Sequence, residues 1–472
     1  MDFLRDYFVV SYEKEKRKIE KLCKFGTQNL FQPNPMQVIS IEQLYEIYLK
    51  HRVISTDTRH LPANCLFFAL KGKNFNGNAF AKDALLKGAA FVVIDQAEFC
   101  PESPWAERTL LVADVLESLQ KLANFHRKKQ NIPFIGLTGS NGKTTSKELL
   151  KTVLAKKYKV YATEGNLNNH IGVPLTLLRL PKEAEIAVIE MGANKVGDIA
   201  QLCDIAEPTH GFITNIGYAH IEGFGSYEGV LRGKTELYQF LRSHNGTVFI
   251  HSQDEVLSNM AKRFENPILY GTKNDYAFLT LEKVSPFIVY RDEEDQQVQT
   301  QLIGSYNFPN LAIAWAIGKY FGVSQKQANE ALASYIPDNN RSQIIEKTKQ
   351  QNKIILDAYN ANPSSVAAAL QNFDSIESNL PKIAILGDMY ELGNIAQSEH
   401  RKIIDLAKSL KIDLILLCGK HYGEALSPSE SVLHFEMKND LVQYLQQKTI
   451  AQSLVLIKAS RGLGLETLVE SL

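Results

Sequence analysis

The chain has 472 residues, length for about three domains of ordinary size and a sizeable core. Its 52 basic and 52 acidic residues cancel, which excludes a global field that would draw in nucleic acid or an anionic membrane. The cysteines (Cys23, Cys65, Cys100, Cys203, Cys418) are odd in number and lack C-x-x-C spacing, which argues against a disulfide framework or a zinc site.

No run of about 18 apolar residues occurs, and the start, Met1-Asp2-Phe3-Leu4-Arg5-Asp6, lacks a signal-peptide layout, so a soluble cytoplasmic protein is expected. Residues 1–37 read as a helix followed by a linker. Their charged run, Glu13 to Lys18, reads as a solvated helical face, and Gln32-Pro33-Asn34-Pro35 as the linker. From Ile39 the pattern tightens into a small α/β module: a short helix through Glu42 to Tyr45, a strand over 65–70, a helix near 81–87 and a strand over 90–95. The segment 128–336 alternates apolar strands (134–137, 159–162, 186–190, 211–215, 247–250) with amphipathic helices, as an α/β sheet requires. A β-rich excursion over 278–303 and helices over 308–321 and 324–335 follow. From Asp338 the alternation restarts, with strands at 354–356, 383–386, 414–417 and 454–457 that resemble a doubly wound, dinucleotide-type sheet. That sheet lacks G-x-G-x-x-G, which points away from a redox cofactor, and no 20 to 50 residue repeat is visible. The expected divisions are 1–38 (an extension), 39–127, 128–337 and 338–472.

Gly139-Ser140-Asn141-Gly142-Lys143-Thr144-Thr145 passes from an apolar strand into a helix, which is the grammar of a phosphate cradle. Glycines admit main-chain N–H groups to a polyphosphate, Lys143 can reach its β and γ phosphates, and the Thr144 hydroxyl suits Mg2+. The spacing is the short G-x-x-G-K-T, with Leu137 where a standard loop has glycine; an ordinary glycine-rich turn is the plainer alternative. Glu190 ends an apolar strand, which would set its carboxylate beside the loop to share Mg2+ with Thr144; alternatively it caps the next helix. His220 closes another apolar stretch, where a hydrogen-bonded loop histidine is the simpler reading, and Lys234 lies in a helix over 227–241, where a lysine is ordinarily solvated. Together the three become candidate metal and phosphate neighbours.

The loop, Gly165-Asn166-Leu167-Asn168-Asn169 with Ile171-Gly172-Val173-Pro174, Glu190-Met191-Gly192, Asn215-Ile216-Gly217 with Ala219-His220, and Gly233-Lys234-Thr235-Glu236 together resemble the Mur ligase family. Asp357-Ala358-Tyr359-Asn360-Ala361-Asn362-Pro363 and Leu386-Gly387-Asp388-Met389-Tyr390-Glu391-Leu392-Gly393 with His400 point, within it, to the branch whose acceptor is D-alanyl-D-alanine. The resemblance runs from about Ile39 to the C-terminus and leaves residues 1–38 without a function.

The resemblance implies a three-domain α/β architecture with a central P-loop ATPase-like domain and a C-terminal Rossmann-like domain. It implies a monomer that uses ATP and Mg2+ to join D-Ala-D-Ala to UDP-N-acetylmuramoyl-tripeptide through an acyl phosphate. By family pattern, Lys143, Glu190, His220 and Lys234 are the catalytic set. One Mg2+ is expected near Thr144 and Glu190, a second near His220, with Lys234 carbamylated to help hold it. Asn307 and Asn310 match the purine-side motif, with Tyr306 in place of a frequent histidine; Arg341 matches a phosphate contact and Asp357 the acid that meets the ribose. Each has a local alternative: Asn307 a helix cap, Arg341 a surface charge, Asp357 a turn acid. Ser55, Asp57 and Arg59 resemble the S-x-D-x-R element for the donor's uridine, and Asn166, Asn168 and Asn169 are expected to position donor or phosphate. Lys458-Ala459-Ser460-Arg461-Gly462 resembles a K-G-S-R-G element without an assigned contact. Two alternatives remain: another superfamily member (a tripeptide-forming ligase, whose D-N-P-R signature is absent, or a folylpolyglutamate synthase), and a nucleotide-binding protein that does not ligate.

Overall fold

Apolar runs alternating with amphipathic stretches satisfy their main-chain polar groups by pairing as strands beneath helices, and the computed structural model of the chain shows three such parallel or mostly parallel sheets. The structure describes residues 38–338, 340–347, 350–427 and 432–472; the expected N-terminal helix and linker, with their charged run and Cys23, lie outside the described residues. The chain divides into two compact units, one ending at Leu122 and one beginning at Ala123.

In the first unit the short expected helix is longer, Ile41–Lys50, because Ser40 and Gln43 form a reciprocal capping box at its start. Its sheet places Ile54–Ser55, Leu66–Phe68, Phe91–Ile94 and Thr109–Leu111 side by side, all parallel. The strand expected over 65–70 stops at Phe68. Leu70 N–H turns back to the Phe68 carbonyl (2.9 Å), and the chain enters a hairpin of Lys71–Gly72 with Phe75–Asn76.

The second unit holds two six-stranded sheets. The first consists of β1 Phe134–Thr138, β2 Val160–Ala162, β3 Ile186–Glu190, β4 His210–Ile213, β5 Thr247–His251 and β6 Ile268–Tyr270, in the order β6-β5-β4-β1-β3-β2, every pair parallel. These strands read as continuous apolar runs because both faces are covered. On one face Ile135, Leu137, Val188, Phe212 and Phe249 pack with helices α1 Lys143–Leu154 and α3 Phe308–Tyr320. On the other, Gly136 and Gly211 leave room for Leu237 of helix α2, Tyr227–Ser243. Helix α3 is apolar all round and buried from Asn310 to Gly318, as a core helix must be. The β-rich excursion is a three-stranded antiparallel sheet, Thr280–Lys283, Val289–Arg291 and Gln297–Gln299.

The second sheet comprises β7 Gln343–Lys347, β8 Asn352–Asp357, β9 Lys382–Gly387, β10 Leu414–Cys418, β11 Leu433–Phe435 and β12 Leu454–Lys458. Their order is β7-β8-β12-β9-β10-β11, with only the edge pair β7-β8 antiparallel. Alternate residues serve opposite faces: Ile355, Ala384 and Leu456 belong to one apolar cluster, with helices α4 Pro363–Ser375 and α5 Ala396–Ser409, while Ile354, Ile383 and Val455 belong to another. The doubly wound expectation is met.

Candidate active site

Ligands of parallel sheets gather beyond the carboxyl ends of the strands, and there the two six-stranded sheets share one cavity of about 1030 Å³. The phosphate loop leaves β1 and enters α1. Gly142 sits at φ +77°, where a Cβ would lie 2.6 Å from Asn310 Oδ1, so both conformation and space require glycine. Sequence reasoning ran β4 on through Asn215, whereas the strand stops at Ile213 because Thr214 and Asn215 are spent on the loop. Asn141 N–H donates to Asn215 Oδ1 (3.0 Å), Ser140 N–H to the Asn215 carbonyl (3.0 Å) and Thr214 Oγ1 to the Asn141 carbonyl (2.6 Å).

Residues Ser140 to Thr145 line the cavity, while Gly139 stands behind it. Lys143 Nζ donates to the Gly139 and Ser140 carbonyls (2.6 and 3.3 Å); burial pushes its pKa down to about 8, with Arg341 acting the same way and Glu190 opposing. Glu190 ends β3 almost fully buried. Its Oε1 accepts from Thr144 Oγ1 (3.3 Å) and Asn168 Nδ2 (2.8 Å), while Oε2 has no hydrogen-bond partner and faces Lys147 Nζ at 4.0 Å. A carboxylate oxygen left bare beside a hydroxyl and a phosphate loop fits a divalent cation. Among the described residues no three His, Cys, Asp or Glu side chains converge on one point. Asn166 and Asn169 also line the cavity, although Asn169 Oδ1 caps the backbone N–H groups of Ile171 and Gly172 (3.1 and 2.8 Å).

His220 has φ +54° and its Nδ1 lies against the carboxylate of Glu391, at φ +63°, so the histidine joins the two sheets' loops and is not a lone loop residue. Lys234, expected in the catalytic set, is not the solvated helix lysine of the plainer alternative: it is fully buried and bonded to the Ala193 carbonyl (3.3 Å), but it does not line the cavity. Burial, then the nearby Lys143 charge, hold its ammonium well below the usual lysine range, with Asp198 and Glu236 opposing.

Across the cavity, Asn307 occupies the N-cap position of α3, but its side chain does not cap. It donates to the Ile303 carbonyl (2.9 Å) and accepts from Asn310 Nδ2 (3.0 Å), and Asn310 in turn accepts from Ser146 (2.9 Å). Arg341 is no free surface charge. Its guanidinium lies 3.9 Å from the Tyr359 ring centroid, and its buried Nε has no partner. Asp357 ends β8 paired with Lys458 Nζ (3.1 Å), a lysine that also donates to the Asn360 carbonyl (2.5 Å). In the first unit Ser55, Asp57 and Arg59 bond to one another. The Asp57–Arg59 pair is bidentate, and those hydrogen bonds hold the Asp57 carboxyl well below the usual range.

Sequence reasoning gave no role to Lys147, Glu391, Asn362 or Ser364. Lys147 follows the loop by one helical turn and donates to the Thr163 carbonyl (2.6 Å), just beyond the end of β2. His400 belongs to the scaffold: its two ring nitrogens face Met389 N–H (3.0 Å) and the Ala396 carbonyl (2.7 Å), bracing the loop that carries Tyr390 and Glu391.

Three family descriptions match in series: Mur ligase family, catalytic domain, over residues 50–127; Mur ligase middle domain over 137–318; and Mur ligase, glutamate ligase domain, over 340–461. A Bacillus subtilis protein named UDP-N-acetylmuramoyl-tripeptide--D-alanyl-D-alanine ligase is 36% identical over 91% of this chain and 94% of its own length. The Escherichia coli protein of that name is 32% identical over 89% and 93%. Among solved structures, MurF from Acinetobacter baumannii superposes with a TM-score of 0.80 at 29% identity, covering 92% of this chain and 99% of that one. MurF ligase from Thermotoga maritima, solved with ADP, gives 0.78 at 26% identity over 90% and 97%.

Proposed function

This chain belongs to the Mur ligase family, and from that premise we infer that it joins D-alanyl-D-alanine to UDP-N-acetylmuramoyl-tripeptide with ATP as the energy source. The observation that carries this reading is one cavity walled by a phosphate loop, by the Thr144–Glu190 pair and by Arg341 and Asp357 from the second sheet. That chamber can hold a whole nucleotide and a reacting acid.

In the first step a donor carboxylate oxygen forms a bond to the γ phosphorus as the β,γ-bridging bond breaks, giving an acyl phosphate and ADP. In the second the acceptor amine forms a C–N bond to the acyl carbon, phosphate leaves and the amine loses a proton. Carboxylate and triphosphate repel, so Lys143 and the N-terminal N–H groups of α1 offset the charge that builds between them. Mg2+, when bound, adds further charge neutralisation; Thr144 and Glu190 are the residues that would hold it, and the bare Glu190 Oε2 suits that use. At the second expected place, His220 Nδ1 is engaged by Glu391 and the Lys234 amine by a carbonyl, so no step is assigned there. Lys234, an amine whose ammonium burial disfavours, is the proposed site of carbamylation, and an intact mass about 44 Da above the sequence mass, lost in Lys234→Ala, would test it.

The proposed working parts are 39–127 for the donor's uridine, through Ser55, Asp57 and Arg59, 128–337 for phosphate transfer and 338–472 for nucleoside and acceptor. Asp357, Asn307 and Asn310 take the nucleoside end of ATP, Arg341 a phosphate, and Asn166, Asn168 and Asn169 the donor or a phosphate. Among the described residues no helix is long and apolar enough to cross a membrane; the proposed substrates are nucleotide-linked and small, which supports a cytoplasmic site of action, and a monomer is proposed. The decisive assay supplies ATP, D-Ala-D-Ala and UDP-tripeptides ending in diaminopimelate or lysine, and measures phosphate release. Turnover that needs all three substrates is expected. Turnover only with free D-alanine, glutamate or a folate would overturn the assignment.

A further inference from the structure

Asn141 stands inside the phosphate loop, and its main chain and side chain serve different partners. The backbone is held by its own sheet: N–H to Asn215 Oδ1 (3.0 Å), and carbonyl from Thr214 Oγ1 (2.6 Å) and Asn215 Nδ2 (3.1 Å). The side chain is consumed by the second sheet. Its Oδ1 accepts from Asn362 Nδ2 (2.7 Å), its Nδ2 donates to Ser364 Oγ (2.9 Å), and Ser364 Oγ donates back to Asn362 Oδ1 (2.9 Å). Three side chains thus close a ring of hydrogen bonds, and Asn362 also caps α4 through Ser365 N–H (2.9 Å). Helix capping alone would need only Asn362; Asn141 adds nothing to it.

The turn that supplies Asn362 and Ser364 begins at Asp357 and Tyr359, and Arg341 is stacked on Tyr359. Whatever fixes this turn therefore fixes Asp357, assigned to the ribose, and the Tyr359 ring on which Arg341 stacks. The loop backbone, for its part, carries the N–H groups assigned to the phosphates. We propose that Asn141, Asn362 and Ser364 are positioning residues that clasp the phosphate loop to the Asp357–Tyr359 turn, so that gripping the triphosphate and gripping the nucleoside become one event. The proposal rests on the ATP reading above.

The test compares a non-hydrolysable ATP analogue with inorganic tripolyphosphate, both measured by calorimetry on the full chain. Ser364→Ala removes the bond to Asn141 while leaving the Asn362 cap, and Asn141→Ala leaves the loop's main-chain bonds. Each is expected to weaken the analogue about tenfold, the worth of one or two neutral hydrogen bonds, and Ser364→Ala, outside the phosphate loop, to leave tripolyphosphate affinity unchanged within twofold. The double variant should bind the analogue no more weakly than the weaker single variant, because both break one clasp. Ser364→Thr, which keeps the hydroxyl, should retain the wild-type preference for the nucleoside. Equal weakening of both probes by Ser364→Ala, an unchanged analogue affinity, additive losses, or failure of Ser364→Thr to retain the preference would each overturn the proposal. A wild-type chain that binds neither probe would instead refute the nucleotide reading itself.

Discussion

Lys143 ties the charge of the cavity to pH. Its ammonium is enclosed by the loop and held by two carbonyls, yet burial brings its pKa to about 8, so near that pH roughly half of the free protein lacks the charge. A polyanion beside it must raise that pKa, so nucleotide binding takes up protons and weakens as pH climbs above about 8. Calorimetry at pH 8 in two buffers of different ionisation enthalpy should reveal the uptake, and Lys143→Met should abolish both it and turnover; an uptake that persists in the variant would assign the proton elsewhere. Glu190→Gln keeps the shape and the acceptor for Thr144 but removes the charge beside the bare oxygen. The Mg2+ concentration for half-maximal phosphate release should rise at least about tenfold, and an unaltered Mg2+ requirement would remove Glu190 from the cation's ligands.

Helices α1 and α3 show how an element separates stability from function. Leu149, Leu150, Val153 and Leu154 of α1 pack against Leu311, Ala314, Trp315 and Ile317 of α3, well inside the core. Leu150→Ala should cost about 2–5 kcal/mol in urea unfolding and leave the substrate KM values nearly unchanged. Gly142→Ala acts at the other end of α1, where φ is +77° and Asn310 Oδ1 occupies the space of a methyl group. About 1–2 kcal/mol of backbone strain is expected there, with a far larger proportional loss of ATP affinity, because the N–H groups that would face phosphate are displaced. If the alanine variant bound ATP normally, the loop would not be the anchor.

For the molecule as a whole, acid should destabilise the second unit through His210 and His251, which are half-buried, and the buried His400. Burial pushes His210, at the start of β4 against Tyr320 and Phe321, down to about 4, and lowers His251 and His400 in the same way. A histidine whose folded pKa is depressed binds its proton more readily when unfolded. Stability is therefore complete above about pH 6.5 and falls as pH drops from there toward 4, His210 alone accounting for about 3 kcal/mol. Urea midpoints measured from pH 7 to 4 should decline, and His210→Phe should flatten part of that slope; a parallel decline in the variant would place the effect on other groups. The fold class, the strand β3 and its terminal Glu190, and the phosphate loop were legible from residue order, because apolar periodicity and glycine spacing are local properties. The same order picked out Lys234 by motif but not its burial, ran β4 through Asn215 and assigned Asn362 and Ser364 nothing. Burial of Lys234, release of Thr214 and Asn215 to the loop, and the clasp on Asn141 depend on chain segments far apart in sequence meeting beyond the sheet ends. Short-range patterns determine which elements form; desolvation and hydrogen-bond partners are set only when those elements pack, and they decide which side chains carry charge and where it acts.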